Sequence, residues 1–265
     1  MDCIEKSRRH LDSKSRICIG FGFAIVFWLS GCTDYEAMID DAHDDWVARW
    51  VEDFDGELTD SRDGQVYKTV TIGTQTWMAE NLNYDYNEGT AKSYCYNNSA
   101  DSCAKYGRLY LWSAAMDSAA VFGGAGKGCG DGSTCAAGSA TVVRGVCPEG
   151  WHLPSTAEFQ TLFAAVGGED VAGKALKSTS GWNDYNGESG NGTNAFGFSA
   201  LPAGVRYNSG DFSIAGYDAY FWSATEDDSY GAYNMYLGYS YDNAYLYYGN
   251  EHNARSVRCL RDSRL

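Results

Sequence analysis

The chain has 265 residues, 15% of them aromatic, and a formal charge of -15 from 20 basic and 35 acidic side chains. That balance excludes a nucleic-acid backbone as partner, because phosphate recognition needs cationic side chains that displace counterions. An acidic surface of this kind fits solubility outside the cell and cation binding equally well.

Lys6, Arg8, Arg9, Lys14 and Arg16 precede an apolar run of 13 residues, 17–29, which ends in Ser30, Gly31 and Cys32. The pattern is that of a bacterial lipoprotein export signal, residues 1–31, whose cleavage leaves Cys32 as the acylated N-terminus. The run is too short to span a bilayer, which takes about 20 residues. Acyl chains on Cys32 would hold the protein at the membrane, at roughly 0.8 kcal/mol per buried methylene. The expectation is a protein anchored by lipid in the cell envelope, at the outer membrane or cell surface.

Residues 32–62 read as an acidic tether: from Thr33 to Asp63 there are twelve Asp or Glu against Arg49 and Arg62, and charge of one sign disfavours compaction. The folded domain is expected over 63–262, opening on the turn Asp63, Gly64. Val66, Lys68, Val70 and Ile72 in period-two order predict a first strand, Gly73-Thr74 its turn, and Thr76-Trp77-Met78 a second strand. Residues 85–104 are polar and rich in Tyr and Asn, and 108–116, with Leu109, Leu111 and Trp112, are expected to pack inward. Residues 123–140 carry seven glycines without the lysine-serine or lysine-threonine pair of a phosphate-binding loop.

Ser155 with Glu158 three residues on predicts a capping box. Phe159, Leu162, Phe163 and Val166 then give a helix one buried face, and Gly167-Gly168 stops it. A second short helix is expected over 171–177, then a polar loop over 182–194 and an alternating Phe196, Phe198, Ala200. Further strands are expected at 220–225, at 233–239 and at the C-terminal 255–261.

Cys3 and Cys18 leave with the signal and Cys32 carries lipid, so six of nine cysteines remain. In an exported chain they predict three disulfides. Spacing favours two local clips, Cys95 with Cys103 and Cys129 with Cys135, leaving Cys147 to close a long loop with Cys259. Zinc is the rival, but no pair has zinc-knuckle spacing and no histidine lies beside one.

Five blocks in order carry a resemblance: Val70-Thr71-Ile72-Gly73 with Gln75-Thr76-Trp77-Met78-Ala79-Glu80-Asn81-Leu82-Asn83; Cys147-Pro148-Glu149-Gly150-Trp151-His152-Leu153-Pro154; Phe198-Ser199-Ala200-Leu201-Pro202-Ala203-Gly204; Tyr220-Phe221-Trp222-Ser223-Ala224-Thr225; and Ser256-Val257-Arg258-Cys259. Over about residues 63–262 the chain resembles the Fibrobacter succinogenes major paralogous domain, a family of exported bacterial proteins with no established biochemical role. That family is similar to the C-type-lectin-like and formylglycine-generating-enzyme-like fold group. The resemblance implies one α+β domain: a small mixed β-sheet with two helices, long irregular loops and disulfides. Long glycine-rich loops without cross-links would be costly in conformational entropy, which agrees.

Trp182-Asn183-Asp184 resembles the calcium-binding turn of C-type lectins, and Asp184 and Glu188 are hard oxygen ligands. The companion proline-containing tripeptide is missing, which favours a solvated Asx-rich turn; no cofactor is expected, with calcium as the weaker reading. His152 at a proline turn reads as satisfying backbone groups. An oxidase of the formylglycine-generating kind needs two reactive cysteines, and Cys259 is read instead as a disulfide partner. The tyrosine surplus points to binding, since flat rings beside amides suit sugar faces. Trp182, Asn183, Asp184, Tyr185, Tyr230, Tyr236, Tyr241 and Tyr245 are the candidates, with Tyr217 beside them, Tyr233 and Tyr239 facing inward and Tyr236 outward. The expectation is a surface-anchored, noncatalytic recognition or adhesion module for polysaccharide or a cell-envelope protein, with a structural envelope protein as the alternative and the oxidase third.

Overall fold

The first strand predicted from alternation does form, but each of its faces serves a different core. In the computed structural model, which describes residues 56–130, 132–135 and 142–263, β2 runs Val66–Ile72 and β3 Gln75–Met78. They make a hairpin in which Ile72 pairs with Gln75 across Gly73-Thr74, with Gly73 at φ 61°. Side chains alternate across a strand. Tyr67 and Met78 therefore enter one buried cluster with Trp112, Trp222 and Cys259, while Ile72 and Trp77 enter another with Phe159, Phe198 and Met235. Val66 is 52% exposed although it keeps step with Ile72.

Two strands flank this hairpin. β1, Glu57–Thr59, pairs with β2, and the following Asp60 is fully buried, bound by Arg62 Nε and Nη2 at 2.8 and 2.6 Å. The sheet therefore starts ahead of the expected turn at Asp63, with Glu57–Thr59 paired into it. The signal, Cys32 and residues 32–55 of the expected tether lie outside the described residues. On the other side β14, Leu260–Arg261, pairs with β3 and with β7, Trp151–His152.

The described residues build three sheets rather than one small mixed sheet. The hairpin belongs to a five-stranded sheet ordered β1-β2-β3-β14-β7. A six-stranded sheet takes β4, Asn87–Glu88, β5, Ala91–Tyr94, β6, Leu109–Leu111, β8, Val205–Arg206, β9, Phe212–Ser213, and β13, Ala254–Arg255. A three-stranded sheet takes β10, Asp218–Asp228, β11, Gly231–Gly238, and β12, Ala244–Asn250. Every strand pair in them is antiparallel. Parallel pairing occurs among the described residues only at the bridges Lys177 to Ala200 and Phe221 to Ser256. β12 is a strand that its run of tyrosines did not announce, whereas Phe196, Phe198 and Ala200 form no strand.

The described residues hold four α-helices where two were expected: α1, Ala100–Tyr106, α2, Trp112–Ala115, α3, Thr156–Ala165, and α4, Glu169–Leu176. α3 begins as its sequence dictates. Ser155 Oγ accepts from the Glu158 amide at 3.3 Å and Glu158 Oε2 accepts from the Ser155 amide at 2.7 Å, a cap of about 1 kcal/mol. Phe159, Leu162 and Phe163 are buried, and the Gly168 amide donates back to the Phe163 carbonyl at 2.8 Å. α1 and α2 are too short for periodicity to show.

The C-terminal segment joins all three sheets. β13 lies in the six-stranded sheet, Ser256 exchanges backbone hydrogen bonds with Tyr220 and Trp222 of β10 at 3.1 and 3.0 Å, and β14 closes the five-stranded sheet. Cys259 is bonded to Cys147 at the entrance to β7 and α3, and Cys95–Cys103 and Cys129–Cys135 are the other two cross-links. The glycine-rich loop is further held at its start by Asp117, whose carboxylate accepts from the Val121, Phe122 and Gly123 amides at 2.7 to 3.0 Å. All described residues fall in one compact unit, Arg49–Leu265. Among them no helix is long and apolar enough to cross a membrane.

Candidate functional site

Two loops some fifty residues apart converge at one end of the three-stranded sheet. The first, residues 182–194, is anchored by its own tryptophan. Trp182 is buried, its indole N–H donating to Ser178 Oγ and the Ala200 carbonyl, both at 3.1 Å. It therefore cannot offer a ring face to a ligand, and its role is to fix the loop. Asn183 is exposed, with its amide donating to the Gly216 carbonyl at 2.7 Å. Tyr185 and Glu188 then pair across Asn186 and Gly187, both at positive φ, 51° and 86°. That is the Asn-Gly turn that suits a two-residue hairpin.

The second loop joins β11 to β12. Lys177, at the end of α4, is 1% exposed and reaches under this loop, its ammonium donating to the Gly238 and Tyr241 carbonyls at 3.0 and 2.9 Å. It also sits 5.2 Å above the Trp182 ring, so one buried cation ties both loops together. Burial pulls its pKa down to about 8. Gly173 in α4 lets the second loop close in, since a Cβ there would lie 2.1 Å from the Asn243 carbonyl oxygen. The amide of Lys174 donates to the Asp242 carbonyl at 2.8 Å.

Between the loops lies a cleft of about 530 Å³ lined by Tyr185, Tyr239 and Tyr241, with Glu188, Asp242 and Lys174 among its charged groups. Tyr239 is clasped edge-on by Tyr185 at 5.5 Å and by Tyr217 at 5.0 Å, each at 87°. Such perpendicular contacts fix ring orientation and add about 1 kcal/mol per pair. Tyr185, Tyr217 and Tyr241 remain 46%, 43% and 54% exposed, so the cluster is ordered and still open.

The other tyrosines divide. Tyr236 and Tyr245 lie beside Tyr220 on the face of the three-stranded sheet opposite Met235 and Leu237, with centroids 5.1 Å apart along the row. Gly238 carries this row towards the cleft, because a Cβ there would fall 2.6 Å from the Tyr236 hydroxyl and 2.9 Å from the Tyr241 ring. Tyr230 sits at the opposite end of the sheet, in the β10–β11 turn, and does not join them. Tyr233 shares the face of Met235 but is only half-buried.

Asp218 organises the row, accepting from the Tyr220 and Tyr236 hydroxyls at 3.0 and 3.1 Å. Burial pushes its carboxyl pKa up, against the lowering effect of those two hydroxyls. Sequence reasoning missed Asp218, and nothing near it marked it out: its partners are two residues away on its own strand and eighteen away on the next.

Asp184 and Glu188 lie exposed at the 182–194 loop. Among the described residues no group of three or more His, Cys, Asp or Glu side chains is placed to hold a metal ion. His152 has carboxylate partners rather than the expected backbone ones: Nδ1 lies 2.7 Å from Asp262 and Nε2 2.9 Å from Glu158. A neutral imidazole can donate from only one nitrogen, so an acidic partner on each ring nitrogen favours the imidazolium. Burial alone would lower the His152 pKa, and the two acidic partners reverse that and raise it.

Searches of curated proteins and of solved structures return no match. Residues 70–261 match the family model described as the Fibrobacter succinogenes major domain, running from the middle of β2 to the last residue of β14. With most of the chain covered and all five of its sequence blocks inside or at the edge of that span, the protein belongs to the Fibrobacter succinogenes major domain family.

Proposed function

We propose that this protein is a noncatalytic recognition or adhesion module that binds polysaccharide through the tyrosine-lined cleft, displayed from the cell envelope on a lipid attached to Cys32. The observation that carries the reading is the convergence of Tyr185, Tyr239 and Tyr241 from two separate loops. Pinned, half-exposed rings beside carboxylates and amides give apolar contact with a sugar face and acceptors for its hydroxyls. We read the fold as C-type-lectin-like, which the irregular loops around α3 and α4 and the link from helix entrance to last strand support. All six cysteines of the domain are paired, and Cys147 and Cys259 are fully buried, which favours this reading over an oxidase.

A glycan array probed with the full-length chain in detergent, with and without calcium, tests the proposal. Binding that is equal in both conditions and weakened about tenfold by Tyr185→Ala or Tyr241→Ala is expected, each ring being worth about 1 kcal/mol or more. Silence across plant, host and bacterial glycans together with a reproducible envelope-protein partner would favour the structural alternative. Tyr220 and Tyr236 already fit that alternative, since their hydroxyls are committed to Asp218.

A further inference from the structure

Arg258 is a buried charge that makes no ion pair among the described residues, the carboxylate of Glu80 acting on it only from a distance. It is 1% exposed, and its guanidinium makes three hydrogen bonds, from Nε to Asn81 Oδ1 at 2.8 Å, from Nη2 to the Ser199 carbonyl at 2.9 Å, and from Nη1 to the Phe198 carbonyl. All three acceptors are neutral, and the fork has five N–H donors. The ring centroids of Phe198 and Phe221 lie 4.4 and 5.2 Å from its carbon, an apolar setting in which a charge without a direct ion-pair partner is expensive. Burial draws its pKa down to about 9.

The same residue forms part of a pocket of about 360 Å³ between the β2–β3 hairpin, the C-terminal end of α1 and the 197–201 loop. Lys68 and Lys105 are exposed at this pocket. Its lining holds these three cations against one carboxylate, Glu80, on a protein whose formal charge is -15. Asn83 lines it too, and its buried Oδ1 has no hydrogen-bond partner among the described residues. Asn81 is not free to serve a ligand, because its Nδ2 donates to the Tyr106 carbonyl at 2.8 Å while its Oδ1 holds Arg258. The pocket thus asks for an anion and for a hydroxyl donor at once.

We propose that this pocket binds a uronic-acid unit, its carboxylate facing Arg258, Lys68 and Lys105 and its hydroxyls donating to Asn83 Oδ1 and Glu80. The choice of a sugar over other hydroxy acids rests on the glycan reading above, whereas the anion preference stands on the pocket alone. The site is separate from the tyrosine cleft, with no lining residue in common.

Calorimetric titration of the full-length chain in detergent with digalacturonate, its methyl ester and acetate is the test. Digalacturonate should bind, more weakly as salt rises, and the neutral ester should bind at least about tenfold more weakly, since charge-assisted pairing is lost. Lys68→Gln/Lys105→Gln, two exposed positions, should weaken the acid by about tenfold or more; Tyr185→Ala/Tyr241→Ala should leave it unchanged. Equal affinity for acid and ester, no binding of the acid, or indifference to the lysine pair would overturn the proposal. Acetate competing as strongly as the disaccharide would reduce the pocket to a plain anion site and would also overturn it. Loss of neutral-glycan binding at the cleft with acid binding intact would remove only the earlier reading.

Discussion

Removing the Cys147–Cys259 bond should be far more damaging than removing either local clip. The bond closes a loop with a sequence separation of 112, against 8 for Cys95–Cys103. In the chain-entropy model the long loop is worth about 5 kcal/mol at 25 °C and the short one about 2.5 kcal/mol. Cys147 and Cys259 are fully buried, so alanine keeps both positions apolar and the difference reports mainly the lost cross-link. A domain of this size has about 5–15 kcal/mol in hand, so Cys147→Ala/Cys259→Ala should be close to unfolded at 37 °C. Urea unfolding of the two double variants, followed by tryptophan fluorescence, measures this. A midpoint for Cys147→Ala/Cys259→Ala no lower than that of Cys95→Ala/Cys103→Ala would refute the reasoning, and would mean that hydrogen bonds from Met78, Leu82 and Trp222 to the C-terminal segment already hold it.

The His152 bridge makes stability depend on pH in a defined direction. Its folded pKa is raised, so its contribution is complete below the unfolded value of about 6.5 and disappears as pH rises through the folded value. Glu158 behaves oppositely: burial tends to raise its pKa, but His152 and Ser155 lower it overall, so its contribution is lost as pH falls from about 4.5. His152→Gln should therefore lower stability by about 1–2 kcal/mol at pH 5.5 and by less at pH 9, read from urea midpoints at the two pH values. Tyr67, Tyr86 and Tyr110 are buried phenols whose pKa values burial raises; the unfolded chain ionises first, so stability should fall by up to about 4 kcal/mol per pH unit above pH 10. An alkaline titration by circular dichroism showing no transition before pH 12 would contradict this. Gly173→Ala should destabilise the protein despite the roughly 1 kcal/mol gain expected in an unhindered helix, because the new Cβ would meet the Asn243 carbonyl; it should also abolish glycan binding at the cleft, which the array reads directly.

The sequence by itself determined whatever depends on neighbours along the chain. The capping box at Ser155 and Glu158, the buried face of α3, the two-residue turn at Gly73-Thr74 and the two short disulfides all follow from spacing within a few residues. The long cross-link followed by elimination, because its cysteines were the two left over. Only the tertiary structure decided which face of each element is covered. Val66 keeps period with Ile72 yet stays exposed, because the core packed against Val70 and Ile72 does not extend to Val66. Tyrosine shows why the binding residues were half legible: a ring with a hydroxyl suits a sheet interior, a sheet edge and a cleft alike. Tyr236 found Asp218 and Tyr185 found solvent for reasons that lie on other strands. Trp182 reads locally as the head of a ligand turn, but Ser178 and Ala200 claim its N–H and turn it inward. Arg258 alternates with Val257 and Cys259 as a surface residue would, and is buried because the 197–201 loop and Asn81 close over it. Those contacts span 59 residues or more, a distance over which no local pattern carries information.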